Sequence, residues 1–340
     1  MSDSEKIKIT VHESTKSVLE RDARQFELFK KDSRTININR LLNLIVENYF
    51  NCYNDMLDKK MTLILEQMKE YHLNDHQAEE LARAIISNVF LPPISKNKGK
   101  KKPFLSFKPT NATETIVKLI HSSAGGSESI SSYYCKMLMS YCAMPIYERE
   151  KIVFKKNHDI ITEAIVNKRS ISFSTIWNEA LHTVVPYALQ VGKDEMFNYL
   201  ICAELNGNNE IIETRSYRLN RIKDPKKGSR FAVIDDRTKE RLERMKLYGA
   251  QYAINDDETT GVRLTIKGQK LYNRIYFGRP QVELIDNDIY YFNCSKTQLE
   301  YYFRRFGKEA MILYPESLKQ DIAVFYKDAY EAYCDEEDNK

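Results

Sequence analysis

The sequence predicts an α+β multidomain protein in four parts: a strand–helix–helix start (residues 1–54), a helical region (55–165), a small β-barrel or curled sheet (166–235) and a C-terminal α/β domain (250–334). Three patterns predict it. Apolar and polar residues alternate at the start, as in a strand with one buried face. Apolar residues at helical spacing then run to about residue 165. Beyond residue 170, short alternating runs are separated by Asn, Asp and Gly clusters, the mark of hairpins. A length of 340 residues also exceeds what one core usually takes.

In the opening strand Ile7, Ile9 and Val11 alternate with Lys6, Lys8 and Thr10. Residues 13–29 read as a helix with Val18, Phe26 and Phe29 inward. After a polar break, Asn39 reads as the N-cap of a helix over 40–51, carrying Leu41, Leu42, Ile45, Val46, Tyr49 and Phe50. Strand, helix and helix within about fifty residues is the ribbon-helix-helix pattern. One short strand is not stable alone, so its expected partner is the same strand of a second chain, which makes the protein a homodimer. The outward residues Lys6, Lys8 and Thr10 would then face the major groove of duplex DNA. The alternative is a helical dimerisation domain behind a strand without a role.

Residues 55–90 read as helical throughout. Asn74 or Asp75 caps a helix whose apolar stripe is Ala78, Leu81, Ala82, Ile85, Ile86 and Val89, and Pro92-Pro93 stops it. A Lys-rich linker follows at 96–103, then further helices over 110–165 with a break at Gly125-Gly126. His72 and His76 straddle a helix start, so no metal site is expected there.

In the second half, strands are expected at 171–174, 199–203 and 211–219, with Asn206-Gly207-Asn208-Asn209 turning the last two into a hairpin. A charged helical stretch covers 238–247. The C-terminal part reads as strand (262–266), helix (267–276), strand (281–284), strand (289–292) and helix (298–306), with a closing helix over 316–333. Its aromatic run, Tyr290, Tyr291, Phe292, Tyr301, Tyr302 and Phe303, makes dimerisation through this domain an expectation too.

The net charge of +4 decides little, but its distribution is uneven. Residues 215–246 hold twelve Lys/Arg against five Asp/Glu, so this segment can present a positive face to phosphates. The six cysteines form no Cys-x-x-Cys pair, which argues against a zinc ribbon and for reduced thiols in a cytoplasmic protein. No run of about 18 apolar residues predicts a membrane span, and the first residues do not read as a secretion signal. Phosphate-cradling Gly loops, a Gly-x-Ser-x-Gly elbow and His-Glu-x-x-His are all absent from the sequence. The reading is therefore of a protein that is not an enzyme and needs no cofactor.

Three stretches carry a resemblance. Arg215-Ser216-Tyr217-Arg218-Leu219-Asn220-Arg221-Ile222 is close to an Arg-x-Phe-Arg-Leu-Asp-Arg-Ile signature, Val184-Val185-Pro186-Tyr187 to a Val-x-Pro element, and Asn198-Tyr199-Leu200 to a Trp-Tyr-Leu triplet. Residues 171–222 thus resemble the WYL domain of prokaryotic regulators. Asn198, Asn220 and His182 stand where that family has Trp, Asp and Arg. The resemblance implies an Sm-like five-stranded small β-barrel. It also implies a nucleic-acid or ligand site among Arg215, Arg218, Arg221, Tyr199, Tyr217, Tyr187, His182 and Ser174. On a regular strand Arg215, Tyr217 and Arg221 point one way, and Ser216, Arg218 and Asn220 the other, unless a bulge or the strand's end intervenes. Guanidinium groups suit phosphates, and the tyrosines offer stacking faces for unpaired bases. The plain alternative puts Tyr199 and Tyr217 in the core and Arg221 on a carboxylate.

Residues 262–333, with Phe303-Arg304-Arg305-Phe306-Gly307 and Pro315, resemble the extension that follows many WYL domains. The whole layout is similar to the accessory WYL proteins of type VI-D CRISPR systems. That resemblance implies a dimer that binds single-stranded RNA and enhances an RNA-guided ribonuclease. A ligand-sensing transcriptional regulator that binds duplex DNA is the second reading, and a structural scaffold the third.

Overall fold

The structure, a computed structural model, describes residues 6–32, 34–71, 73–90, 103–123, 129–228 and 233–335. Most of the Lys-rich linker and the Gly125-Gly126 break lie outside the described residues, as does His72. The chain divides into two compact units, residues 1–155 and 156–340.

In the first unit, strand β1 (Ile7–Thr10) turns Ile9 inward, and helices α1 (Glu13–Gln25) and α2 (Ile38–Met68) follow. Asn37, not Asn39, caps α2, accepting the Arg40 N–H at 3.0 Å. Asn39, the second residue of the helix, instead accepts the Lys108 N–H of the returning chain at 2.7 Å. The α2 face predicted to be apolar is buried from Leu41 to Tyr49 and extends to Tyr53. Helix α3 (Asp75–Ile85) is capped by Asn74 in a reciprocal capping box with Gln77. Of its expected stripe Ala82 is buried and Ala78, Ile85 and Ile86 are half-buried, while Leu81 and Val89 are exposed.

The partner of β1 corrects the ribbon expectation. It is strand β2 (Phe104–Phe107) of the same chain, antiparallel, with Ile7 opposite Phe107 and Thr10 opposite Phe104. Phe104-Leu105-Ser106-Phe107 buries Leu105 and Phe107 in alternation, so one chain supplies both halves of the ladder. Helices α4 (Asn111–Ser123), α5 (Ile130–Cys142) and α6 (Ile146–Val153) complete the unit. Across it runs a buried ion pair: Arg149 on α6 grips Asp22 on α1 through Nε at 2.7 Å and a terminal guanidinium nitrogen at 2.8 Å.

Helix α7 (Lys155–Val166) opens the second unit. Five antiparallel strands follow: β3 (Ile171–Thr175), β4 (His182–Val191), β5 (Asn198–Leu205), β6 (Ile211–Arg218) and β7 (Ile222–Lys227). Their order is β6-β5-β4-β3-β7. The edges of a flat five-stranded sheet lie ~19 Å apart. Yet β6 and β7, on opposite edges, are joined by the single 3₁₀ turn Leu219–Arg221, which spans only ~6 Å. The sheet must therefore curl strongly. It does not close: β6 and β7 exchange no ladder, so the expected barrel is an open curled sheet. Two strands carry an internal proline, and the ladder shifts register beside each, at Pro186 in β4 and at Asp224-Pro225 opposite β3.

Helix α8 (Asp236–Tyr248) leads to a second sheet. Its elements are β8 (Thr260–Leu264), α9 (Ile266–Arg274), β9 (Leu284–Asp286), β10 (Ile289–Phe292), α10 (Lys296–Phe303), β11 (Ala310–Tyr314) and α11 (Glu316–Asp335). The strand order is β11-β8-β10-β9. The expected strand at 281–284 is displaced to Leu284–Asp286, and β11 is an addition to the predicted set.

Helix α8 is fastened to the loop before β8 by Asp257. Arg241 donates to both its carboxylate oxygens at 2.9 Å, and Arg237 adds a bond at 2.8 Å. The hydrogen bonds from Arg241, then from Arg237, hold this carboxyl below the usual carboxylate range. A carboxyl with a depressed folded pKa stabilises above its unfolded value of about 3.9, and that contribution is lost as pH falls through the folded value. Urea denaturation should therefore find Asp257→Asn less stable than wild type at neutral pH, with the gap narrowing below about pH 4.

Candidate functional site

Strand β6 ends at Arg218, and this ending builds the site. Ser216 and Arg218 share one side of the strand, two residues apart. The 3₁₀ turn that follows breaks the strand's period-two alternation, and Arg221 comes to line the same cavity as Arg218. Both arginines line one cavity of about 620 Å³, with Ser216 and Thr175 beside them. The regular-strand grouping of Arg215 with Arg221 is thereby corrected.

Each arginine rests on an aromatic ring. The Arg218 guanidinium lies 3.2 Å from the centroid of buried Phe197. The Arg221 guanidinium lies 5.8 Å from the ring of Trp177, the only tryptophan in the chain and 72% exposed. Such stacking orients a guanidinium. Exposed Tyr301 and half-buried Tyr252 also line the cavity, with Gln251 and Glu195.

Tyr199 meets this cavity from below. Its side chain is only 7% exposed, and its hydroxyl donates to Glu195. Burial, then the bond to Glu195, raise its pKa, while Arg218 and Arg221 pull the other way. It therefore stays a neutral donor under the arginines rather than an open stacking face.

Arg215, Tyr217 and His182 gather elsewhere, around the Glu204 carboxylate of β5. His182 Nδ1 lies 2.8 Å from one oxygen. The Tyr217 hydroxyl donates to the other at 2.9 Å, and Arg215 Nε approaches it at 3.1 Å. Arg215 also pairs with Glu213 at 2.6 Å. Burial first, then Cys202 and Glu204, raise the Tyr217 pKa, and its ring packs edge-on to Phe173 at 5.0 Å. Arg215 is thus held by two carboxylates. Tyr187 donates to Glu243 with Lys246 5.6 Å from its ring, and burial pushes its pKa up to about 12. Ser174 is half-buried opposite Lys223 in the β3–β7 ladder.

Part of the positive charge of residues 215–246 is paired with carboxylates of the same chain. Arg237, Arg241 and Arg244 converge on Asp257, Lys227 meets Glu163, and Lys246 meets Glu243. Of this segment, Arg218 and Arg221 are the cations that line the cavity.

The chain resembles, end to end, a CRISPR Cas-related protein. That crystal structure aligns with 99% of this chain and 96% of its own, with a TM-score of 0.67 and 19% identity. The proteasome accessory factor B/C of Arthrobacter aurescens aligns with 62% of this chain and 33% of its own, at 18% identity and a TM-score of 0.25. No family model and no curated protein matches the chain.

In the first unit, exposed Lys6 and Lys8 line a separate groove of about 500 Å³ with Lys118, His121, Ser129 and Ser131. Thr10 is half-buried, and its backbone N–H donates to Ser131 Oγ at 3.0 Å. Among the described residues, no cluster of His, Cys, Asp or Glu has the makings of a metal site. None of the described helices is long and apolar enough to cross a membrane.

Trp177, Tyr301 and Gln251 were not legible as site residues. A lone tryptophan in a polar loop beside a strand is the one signal that points to the first; the other two reach the cavity only through the fold.

Proposed function

We propose that this protein is a non-catalytic accessory or regulatory protein of a CRISPR system that binds single-stranded RNA at the Arg218–Arg221 cavity and enhances an RNA-guided, RNA-targeting ribonuclease of type VI-D. The observation that carries the binding reading is the pairing of two ring-backed guanidiniums with an exposed tryptophan in one polar cavity. Single strands are held by cationic groups that track the backbone and aromatic faces that stack unpaired bases, at ~1–3 kcal/mol per base. The WYL-like sequence of residues 171–222 and the CRISPR Cas-related fold neighbour support the setting. Action as a cytoplasmic homodimer belongs to the same proposal.

Ultraviolet cross-linking of single-stranded RNA, with peptide mapping, tests the placement. The adducts should fall at Trp177 and Tyr301. Adducts confined to the peptides around Lys6 and Lys8 would move the site to the first unit. Adding the protein to the ribonuclease with its guide should raise target cleavage, and an unchanged rate would remove the accessory role.

A second reading, a DNA-binding transcriptional regulator, is favoured by one feature: Lys6 and Lys8 stand exposed beside Lys118 and His121. On that reading Lys8→Ala weakens binding to one preferred duplex sequence.

A further inference from the structure

We infer that the Arg218–Arg221 cavity captures an unpaired guanine nucleotide of the bound strand, with the Glu195 carboxylate reading the Watson–Crick edge of the base. The inference rests on the RNA-binding reading above and adds a base preference to it.

Three features of the cavity carry it. The first is that both signs of charge line it, Arg218 and Arg221 as cations and Glu195 as a carboxylate. A nucleotide offers a partner to each, its anionic phosphate to the guanidiniums and its hydrogen-bonding base edge to the carboxylate. The second is the aromatic pair Trp177 and Tyr301, 72% and 59% exposed, which gives a base two rings to stack against. Guanidiniums stand over both rings, Arg221 at 5.8 Å from Trp177 and Arg304 at 5.8 Å from Tyr301. The third is the anchoring of Glu195, whose carboxylate accepts the Tyr199 hydroxyl and so is tied to the sheet.

An ionised carboxylate only accepts hydrogen bonds, and it has lone pairs to spare beyond the one Tyr199 uses. The four bases differ sharply towards such a group. Guanine presents two adjacent donors, N1–H and the 2-amino group, which match the two carboxylate oxygens. Adenine and cytosine each present an amino group beside a ring-nitrogen acceptor, which repels the second oxygen. Uracil presents one N–H between two carbonyls. Only guanine meets the carboxylate without an opposed acceptor, and an opposed or unpaired polar group is what makes such sites selective.

The test is fluorescence anisotropy with labelled oligoadenylates whose central residue is adenosine, guanosine, inosine, cytidine or uridine. Wild type should bind the guanosine strand about tenfold tighter than the adenosine, cytidine and uridine strands. Inosine, which keeps N1–H and lacks the 2-amino group, should fall between. In Glu195→Gln, whose carboxamide oxygen still accepts from Tyr199, the guanosine-to-adenosine ratio should collapse towards one. Trp177→Ala should weaken every strand and leave a guanosine preference. Binding of all five strands within twofold by wild type overturns the inference and leaves the RNA-binding reading standing, as does a preference that survives in Glu195→Gln. Failure to bind any strand removes the RNA-binding reading and this inference together.

Discussion

Arg221→Ala should lower affinity for single-stranded RNA by on the order of tenfold and flatten its salt dependence. Each phosphate contact on a single strand contributes a slope of about −0.7 in log K against log salt, so losing one contact removes about that much. Arg221 is the cleaner of the two cavity arginines to remove. Arg218 is packed on buried Phe197, so its loss also disturbs the sheet. Trp177→Ala should act differently. A stacked base is worth ~1–3 kcal/mol, so affinity falls by roughly five- to a hundredfold while the salt slope holds. Arg215→Ala should change little, because Glu204 and Glu213 already occupy that guanidinium. Titrations at several salt concentrations separate the three outcomes. An equal effect of Arg215→Ala and Arg221→Ala would show that the cavity is not where the strand is held.

The largest effect on stability is expected at Asp22 and Arg149. The side chains are 0% and 5% exposed, they meet through two hydrogen bonds, and they lie 127 residues apart in sequence. Tyr141 donates a further bond to Asp22 at 3.1 Å, and Arg149 donates to the Met144 carbonyl. Asp22→Ala leaves a buried guanidinium without its counter-ion, at a cost of about 3–5 kcal/mol, and Arg149→Ala strands the carboxylate with a similar cost. Burial of both charges together is less decisive than the loss of one. An apolar pair, Asp22→Leu with Arg149→Met, should therefore be more stable than either single alanine variant. Urea unfolding of the four proteins measures this. A Leu/Met variant no more stable than the single alanine variants would mean that the ion pair does not act as a unit.

How much of the structure was legible depended on whether local pattern and tertiary demand agreed. The capped helix at Asn74, the apolar face from Leu41 to Tyr49 and the hairpin at Asn206–Asn209 follow from local rules and are present. Strands β4 and β7 were not legible because Pro186 and Pro225 argue against a ladder. Both strands accommodate the proline with a shift in register, which is a tertiary solution. Strand β2 lies behind a lysine run that reads as linker, so local pattern alone does not reveal it as the partner of β1. Asp22 sits on the buried stripe of α1, where a search for apolar residues passes over it.

At the site, the arginines were legible and their grouping was not. Period-two alternation places Arg218 and Arg221 on opposite faces. The 3₁₀ turn after Arg218 breaks that alternation, and both line one cavity. Tyr199 and Tyr217 took their places from burial and from Glu195 and Glu204, carboxylates whose positions depend on strand pairing.

The most direct measurement is a competition at fixed salt: labelled single-stranded RNA bound to wild-type protein, challenged with unlabelled duplex DNA of mixed sequence and followed by anisotropy. The account predicts that RNA stays bound against an excess of duplex and that Arg221→Ala releases it. Ready displacement by duplex DNA, with Arg221→Ala indistinguishable from wild type, would contradict it.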